Sequence, residues 1–397
     1  MARIKSVLGL SAVATAALTA LSMGSAYADY APAAGDVIGV GSDTVQNMGN
    51  FLADGDNIGG IGYNAAGNKF KMVSFDATPD ANDRAGYLNG STSAALKPLT
   101  PTIVLRSGLQ PVQRPNGSGA GIGALLADTT HKIDFVRMSR LPSVAEQNTA
   151  IGTSGVGSLR VIKIATDYLQ IATAATTNSP AALTASQLVD IYLCKTTADQ
   201  WSEVGGTSTN KIIPIVPQSG SGTRSTFLAD LQAANGGTAV TPGSCVVTAE
   251  ENDPSAITGA IAVGETTPRP ADAIAPFSAG RKALYDSTQY FNDPTKTFAQ
   301  TPVTLSSGIA LLGGATPTSA TYNNNRNLYI VFRDSDVNSA TPFQPGGTKN
   351  WVRDLFYNPG SSVKPYVQSD NGQADIADGG GVPLYANCGA GNTVTSC

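Results

Sequence analysis

The chain has 397 residues, enough for two domains with cores of their own. Only 14% of residues are charged and the formal net charge is −4, which argues against bulk nucleic-acid binding through a basic surface. A single histidine and four cysteines without C-x-x-C spacing disfavour zinc, so no metal or cofactor is expected.

Residues 1–28 read as a secretory signal. Arg3 and Lys5 form its basic start, Val7 to Met23 its apolar stretch, and Ala26-Tyr27-Ala28 a small-x-small cleavage site before Asp29. Cleavage after Ala28 removes two of 25 basic residues and leaves 23 against 29 acidic ones, a net charge of −6. No cysteine follows the apolar stretch, so no lipoprotein anchor is encoded there, and no later segment has an apolar run long enough to span a bilayer. A secreted or cell-envelope protein is expected. In that oxidising setting Cys194, Cys245, Cys388 and Cys397 fit two disulfides. Three connectivities are open; Cys194–Cys245 with Cys388–Cys397 keeps each bridge local.

In chain order, Asp36 to Val40 reads as a buried strand. Gly41-Ser42-Asp43-Thr44 follows, then a helix over Val45 to Leu52 capped by Thr44 or Asp43. Residues 54–100 read as a surface excursion rich in Gly, Asn, Asp and Pro, with a strand at Lys69–Phe75. Thr102 to Leu105 and Pro111 to Arg114 are extended, and Ala120 to Ala127 helical. Lys132 to Met138 is a strand ending at Ser139-Arg140. Val161 to Tyr168 and Gln170 to Ala174 are extended runs, and Ala185 to Leu193 an amphipathic helix. Trp201 is placed in a loop. Lys211 to Val216 is a strand, Ser225 to Gln232 a helix, and Glu250 to Ile257 the start of a helix capped by Asn252 or Asp253. Ile274 to Phe277 and Leu328 to Phe332 are strands, and Asn350 to Tyr357 a helix. The tail from Ser369 is polar and Gly-rich. This alternation predicts an α/β fold with mainly parallel sheets and flanking helices.

Three units share one pattern of strand, small polar loop and helix. Their loops are Gly41–Thr44, Asn116–Gly119 and Ser219–Thr223. Small polar residues ahead of one helix are commonly only caps. Three such loops, with Arg140 and Arg224 beside them, suit a tetrahedral oxyanion, because helix N-termini present unpaired N–H donors and a positive dipole end. Other motifs fail. The Gly-rich loops lack the lysine of a P-loop, the G-x-G-x-x-G pattern breaks at Ile122, and both loops miss G-x-S-x-G.

The same residues resemble the phosphate-binding proteins of bacterial phosphate ABC transporters, the Pst-type solute-binding proteins, and among them a divergent actinobacterial-like branch. The likeness runs with gaps over Val37–Phe332. It is most specific from Leu188 to Leu231, which contains DIYLCKTTADQW and IIPIVPQSGSGTRSTFLADL. GVGSDT at 39–44, NGSGAGI at 116–122, IDFVRMSRLP at 133–142, ENDPSAI and IAPFSAGR are similar to further family landmarks. The resemblance implies a two-lobed type II periplasmic-binding-protein fold with an interlobe cleft. Lobe I would comprise residues 29–168 plus 326–397 and lobe II residues 169–325, with crossings near Ala165–Thr173 and Asn325–Phe332.

Carried over by position, the implied ligand set is Ser42, Asp43, Thr44, Gly117, Ser118, Ser139, Arg140, Ser221, Gly222, Thr223 and Arg224. Pro217 stands where many members have an arginine, and Arg224 would supply the charge instead. The family's site aspartate, which accepts the proton of hydrogen phosphate and so rejects sulfate, aligns with Arg140. Asp43 is the candidate replacement acceptor, with a plain capping carboxylate as the alternative. The implied function is a monomeric, non-enzymatic solute-binding protein that captures phosphate or a related oxyanion for a permease. The alternatives are a secreted structural or adhesion protein on the same fold, or a secreted hydrolase.

Overall fold

The computed structural model describes residues 32–55, 61–66, 70–77, 101–287, 306–337 and 350–397. The expected signal at residues 1–28 lies outside them, as do Lys69 of the predicted 69–75 strand and most of the predicted surface excursion.

The described chain opens with strand β1 (Val37–Gly41), helix α1 (Gln46–Asp54) and β2 (Met72–Ser74). A small hairpin, β3 (Thr102–Ile103) and β4 (Val112–Gln113), precedes α2 (Ser118–Ala127), β5 (Phe135–Met138) and α3 (Val144–Gly152). The 16-residue strand β6 (Leu159–Ala174) leads to α4 (Ala185–Tyr192), β7 (Ile213–Pro217) and α5 (Gly222–Ala234). Next come β8 (Val247–Ala249), the single turn α6 (Ser255–Thr258), β9 (Ala273–Ser278) and α7 (Ala279–Tyr285). β10 (Ile309–Leu311), β11 (Asn323–Arg333), α8 (Trp351–Leu355), α9 (Asp370–Asp378) and β12 (Val382–Ala390) complete it.

One sheet runs in the order β2-β1-β5-β11-β6-β9-β7-β8, with β10 and β12 also paired to β6. Its wings, β2-β1-β5 and β9-β7-β8, are parallel. Strands β1, β5, β7 and β9 are buried along their whole length, as parallel strands covered on both faces must be. Between the wings, β6 and β11 run antiparallel to each other and to their outer neighbours.

The two runs expected at 161–168 and 170–174 are one strand, and β6 serves both wings. It pairs with β12 over Arg160–Thr166, then with β9 over Leu169–Thr173. Its ladder with β11 shifts register once, between Leu328 and Tyr329, the mark of a bulge. Each wing has its own apolar packing. Phe135, Phe332, Trp351 and Phe356 cluster on one side, and Tyr192, Trp201, Phe227 and Tyr322 on the other.

Several expectations need correction. Trp201 begins a 3₁₀ turn, Trp201–Val204, whose two end residues are buried, rather than a loop. The polar, Gly-rich tail from Ser369 carries two elements that went unpredicted: α9 packs on α1, and β12 joins the sheet. Ile376 anchors this low-hydrophobicity tail in the core. Helix α3 went unpredicted, although Ser143 and Glu146 form a reciprocal capping box at its start. Neither Asp43 nor Thr44 caps α1. The cap position is Val45, without a side-chain bond, because both polar side chains turn toward the opposite wing. The helix expected from Glu250 begins only at Ser255. Asn252 sits at φ 54°, and its amide faces Asp43 instead of a helix N-terminus. The bridges are Cys194–Cys245 and Cys388–Cys397.

Candidate functional site

Three loops, each leaving a strand for a helix, meet where the wings face one another. The Gly119 N–H donates to the Gly220 carbonyl at 2.8 Å, joining the loop before α2 to the loop before α5. Gly117 makes that approach feasible: its φ is +94°, and a Cβ there would lie 2.6 Å from the Gly220 oxygen. Gly222 is more tightly constrained still. A Cβ on it would stand 2.3 Å from both the Ser118 and Ser139 hydroxyl oxygens. The backbone at the start of α5 therefore presses against two buried serines of the facing wing. Gly222 and Thr223 open this helix, where no preceding turn supplies carbonyls for their N–H groups.

The hydroxyls form an ordered donor chain. Thr44 Oγ1 accepts from Asn252 Nδ2 at 3.1 Å and from Arg326 Nη2 at 3.3 Å. With both lone pairs used, its hydrogen goes to Thr223 Oγ1 at 3.2 Å. Thr223 Oγ1 also accepts from Arg326 Nη1 at 2.8 Å, so the Thr223 hydrogen is left for a further acceptor. A matching pair lies alongside. Ser118 Oγ accepts the Ser139 N–H at 2.9 Å and sits 3.2 Å from Ser139 Oγ. Ser42, Thr44, Ser118, Ser139 and Thr223 are all buried, and the Ser42 hydroxyl has no hydrogen-bond partner among the described residues. A cluster that has donors to give and is shielded from water suits an anion.

Arg326 anchors the cluster. It lies on β11 directly opposite Asp167 on β6, and its guanidinium pairs with Asp167 Oδ2 at 2.8 Å through Nη2 and 3.1 Å through Nε. Asp167 Oδ1 in turn accepts from the Ser278 hydroxyl and the Gly280 N–H. A second charged pair lies behind Thr44. Asp43 Oδ2 is 3.4 Å from Arg281 Nη2, while Asp43 Oδ1 accepts from Asn252 at 2.8 Å. Both residues are nearly excluded from solvent, and Arg281 also stacks on Tyr285.

The other predicted residues have different partners. Ser221 caps α5 by accepting the Arg224 N–H, and its hydroxyl donates to Glu251 at 2.5 Å. Arg224 Nη1 donates to the Pro217 carbonyl at 2.7 Å, bracing the loop it follows. Arg140 forms a two-pronged pair with Glu146 at 2.7 and 2.8 Å and holds Glu146 below its ordinary carboxylate range, against the upward push of burial. That pair secures α3. Replacing Arg140 by alanine is expected to lower stability by about 1 kcal/mol, as measured by denaturant unfolding, and to leave oxyanion affinity unchanged.

Arg326, Asp167, Asn252, Ser278 and Arg281 were not singled out as site residues from the sequence. A signal was present for the first two. Each is an ionic residue well inside a predominantly uncharged strand, where burial requires a partner. Glu250, read from the sequence as the start of a helix, was not placed in the ligand set. Its carboxyl accepts from Asn116 Nδ2 at 2.9 and 3.1 Å and from Gln218 Nε2 at 2.8 Å, linking the two Gly-rich loops.

Parallel wings sharing two long central strands, with helix starts facing each other across the junction, define a two-lobed α/β binding-protein architecture. The PBP superfamily domain matches residues 77–351, well over half of the chain, and the chain belongs to that superfamily. Among solved structures it is similar to one described as a candidate phosphate ABC transporter substrate-binding protein with bound phosphate from Clostridium perfringens. The two are 15% identical over 88% of this chain and 99% of that one, with a TM-score of 0.50. It is also similar to an ABC-type phosphate transport receptor from Vibrio cholerae, at 17% identity, 88% and 100% coverage and a TM-score of 0.46. At such identity the first likeness shows a shared fold. No curated protein matches the chain by sequence.

Proposed function

We propose that this chain is an exported solute-binding protein that captures phosphate, or a related tetrahedral oxyanion, between its two lobes for uptake by an ABC transporter. The carrying observation is the buried donor cluster of Thr44, Ser118, Ser139, Gly222 and Thr223 gathered around the Arg326 guanidinium. The solved relatives named for phosphate support the choice of anion. Ser42 and Asp43 complete the first loop's share of the site. Gly117 and Ser221 shape their loops, and Arg140 and Arg224 act from outside the donor cluster.

Lobe I would span residues 29–168 plus 326–397 and lobe II residues 169–325. The change of partners along β6, from β12 to β9 between Thr166 and Leu169, supports that division. Among the described residues no helix is long and apolar enough to cross a membrane. The basic start, apolar stretch and Ala26-Tyr27-Ala28 site read in residues 1–28 support export, and we read the exported chain as a monomer that meets its permease outside the cell. Binding rather than bond-breaking fits the serines: among the described residues the Ser118 hydroxyl is flanked by an amide and another hydroxyl, with no base hydrogen-bonded to it.

Titration calorimetry tests the reading. Phosphate should bind with 1:1 stoichiometry and sulfate more weakly, because buried Asp43 beside Thr44 can accept a proton that sulfate lacks. Asp43→Asn should narrow the gap between the two anions. Absence of heat with both would end the oxyanion reading, and an unchanged gap in the variant would leave Asp43 as the partner of Arg281 alone.

A further inference from the structure

Glu250 occupies the seam between the two Gly-rich loops. Asn116, from the loop before α2, donates to both of its carboxyl oxygens, and Gln218, at the end of β7, donates to one of them. Gln218 Nε2 also donates to Asn116 Oδ1 at 3.0 Å, closing a three-residue ring across the junction of the lobes. The second Gln218 group is used as well, since its Oε1 accepts the Glu251 N–H. Opening the lobes would part Asn116 from the other two and return the carboxyl to water.

The ring brings a carboxyl close to others of its own sign. Asp43 faces it from the loop before α1, and Glu251 and Asp253 lie on its own loop. Burial first, then Asp43, push the Glu250 carboxyl from its ordinary 4.5 up to about 8, with Glu251 and Asp253 adding less, against a downward pull from the Asn116 hydrogen bond. Arg281 and Arg326, the nearby buried cations, make their pairs with Asp43 and Asp167.

We propose that Glu250 is a proton-loaded latch: closing the lobes on the ligand draws a proton from solvent onto its carboxyl, so that capture of the oxyanion is coupled to proton uptake. This rests on the reading of the cleft as the ligand site and adds a regulatory input to it. The acid is stronger when the cleft is open and weaker when it is shut, so protons favour the shut form. The latch acts fully below about pH 4.5, weakens as pH rises to about 8, and is spent above that.

The test compares wild type with Glu250→Gln, which keeps the shape of the neutral acid but cannot ionise. Inorganic phosphate is titrated into each from pH 5 to 9, and phosphate's own ionisation cancels in the ratio of the two Kd values. The wild-type to variant Kd ratio should rise by up to about tenfold per pH unit between pH 5 and 8 and then level. At pH 7, heats in buffers of differing ionisation enthalpy should show about one more proton taken up by wild type. A ratio that does not change with pH overturns the latch. If neither protein binds phosphate or sulfate, the oxyanion reading fails and the latch falls with it, whereas phosphate binding with a flat ratio overturns the latch alone.

Discussion

Replacing Arg326 by lysine should weaken phosphate binding about a hundredfold while the protein remains folded. The arginine serves three partners at once: Thr44, Thr223 and Asp167. Lysine keeps a positive charge for Asp167, so the buried carboxylate is not stranded. An ammonium on a flexible stem lacks the fixed fork that reaches both threonines. Losing two charge-assisted bonds that orient the donor chain amounts to about 2–3 kcal/mol, roughly two decades in Kd. Arg326→Ala is a different experiment. It leaves Asp167 buried without its cation and should destabilise the protein by about 3–5 kcal/mol. Calorimetry and unfolding on both variants separate the roles. Full phosphate affinity in the lysine variant would show that the guanidinium matters only to folding.

The second large effect is expected from Gly222→Ala. The new methyl would fall 2.3 Å from two hydroxyl oxygens, far inside contact distance. Ser118 and Ser139 are buried and bonded to each other, so neither can yield without breaking the pair. The loops before α5 and α2 must then separate, which also strains the Gly119–Gly220 bond. Overpacking of this kind costs about 1–3 kcal/mol. Because the strain falls on the shut form, most of it should appear as lost affinity. We expect at least a tenfold rise in the Kd for phosphate, with a smaller fall in Tm than in affinity. A variant that binds normally would mean that Gly222 does not touch the ligand-bearing serines in solution.

Much of this site was readable because its parts are short and contiguous. GSDT, NGSG and SGSGTR each carry their own conformational logic: a strand ends, small residues turn, and a helix begins. The charges were not readable in that way. Arg140 and Arg224 are adjacent in sequence to the key loops, yet their guanidiniums turn to Glu146 and to the Pro217 carbonyl. The direction of a long side chain depends on which partners packing brings near. Arg326 and Asp167 are 159 residues apart, and only the register of β11 on β6 makes them neighbours. Asn252 reaches Asp43 because its backbone takes up a left-handed conformation that the sequence EENDP does not announce. Helix α9 went unpredicted for a related reason. Its buried Ile376 finds a core built by distant segments.

The register shift between Leu328 and Tyr329 has a mechanical consequence. A pair of lobes joined by slack loops can swing through wide angles at little cost. Here the connecting strands are hydrogen-bonded to each other along β11, and their one discontinuity lies just beyond Arg326. Such a joint behaves as a torsion spring with its weakest coil beside the cation. Twisting it would turn Arg326 out of line with Thr44 and Thr223, the two hydroxyls it orients.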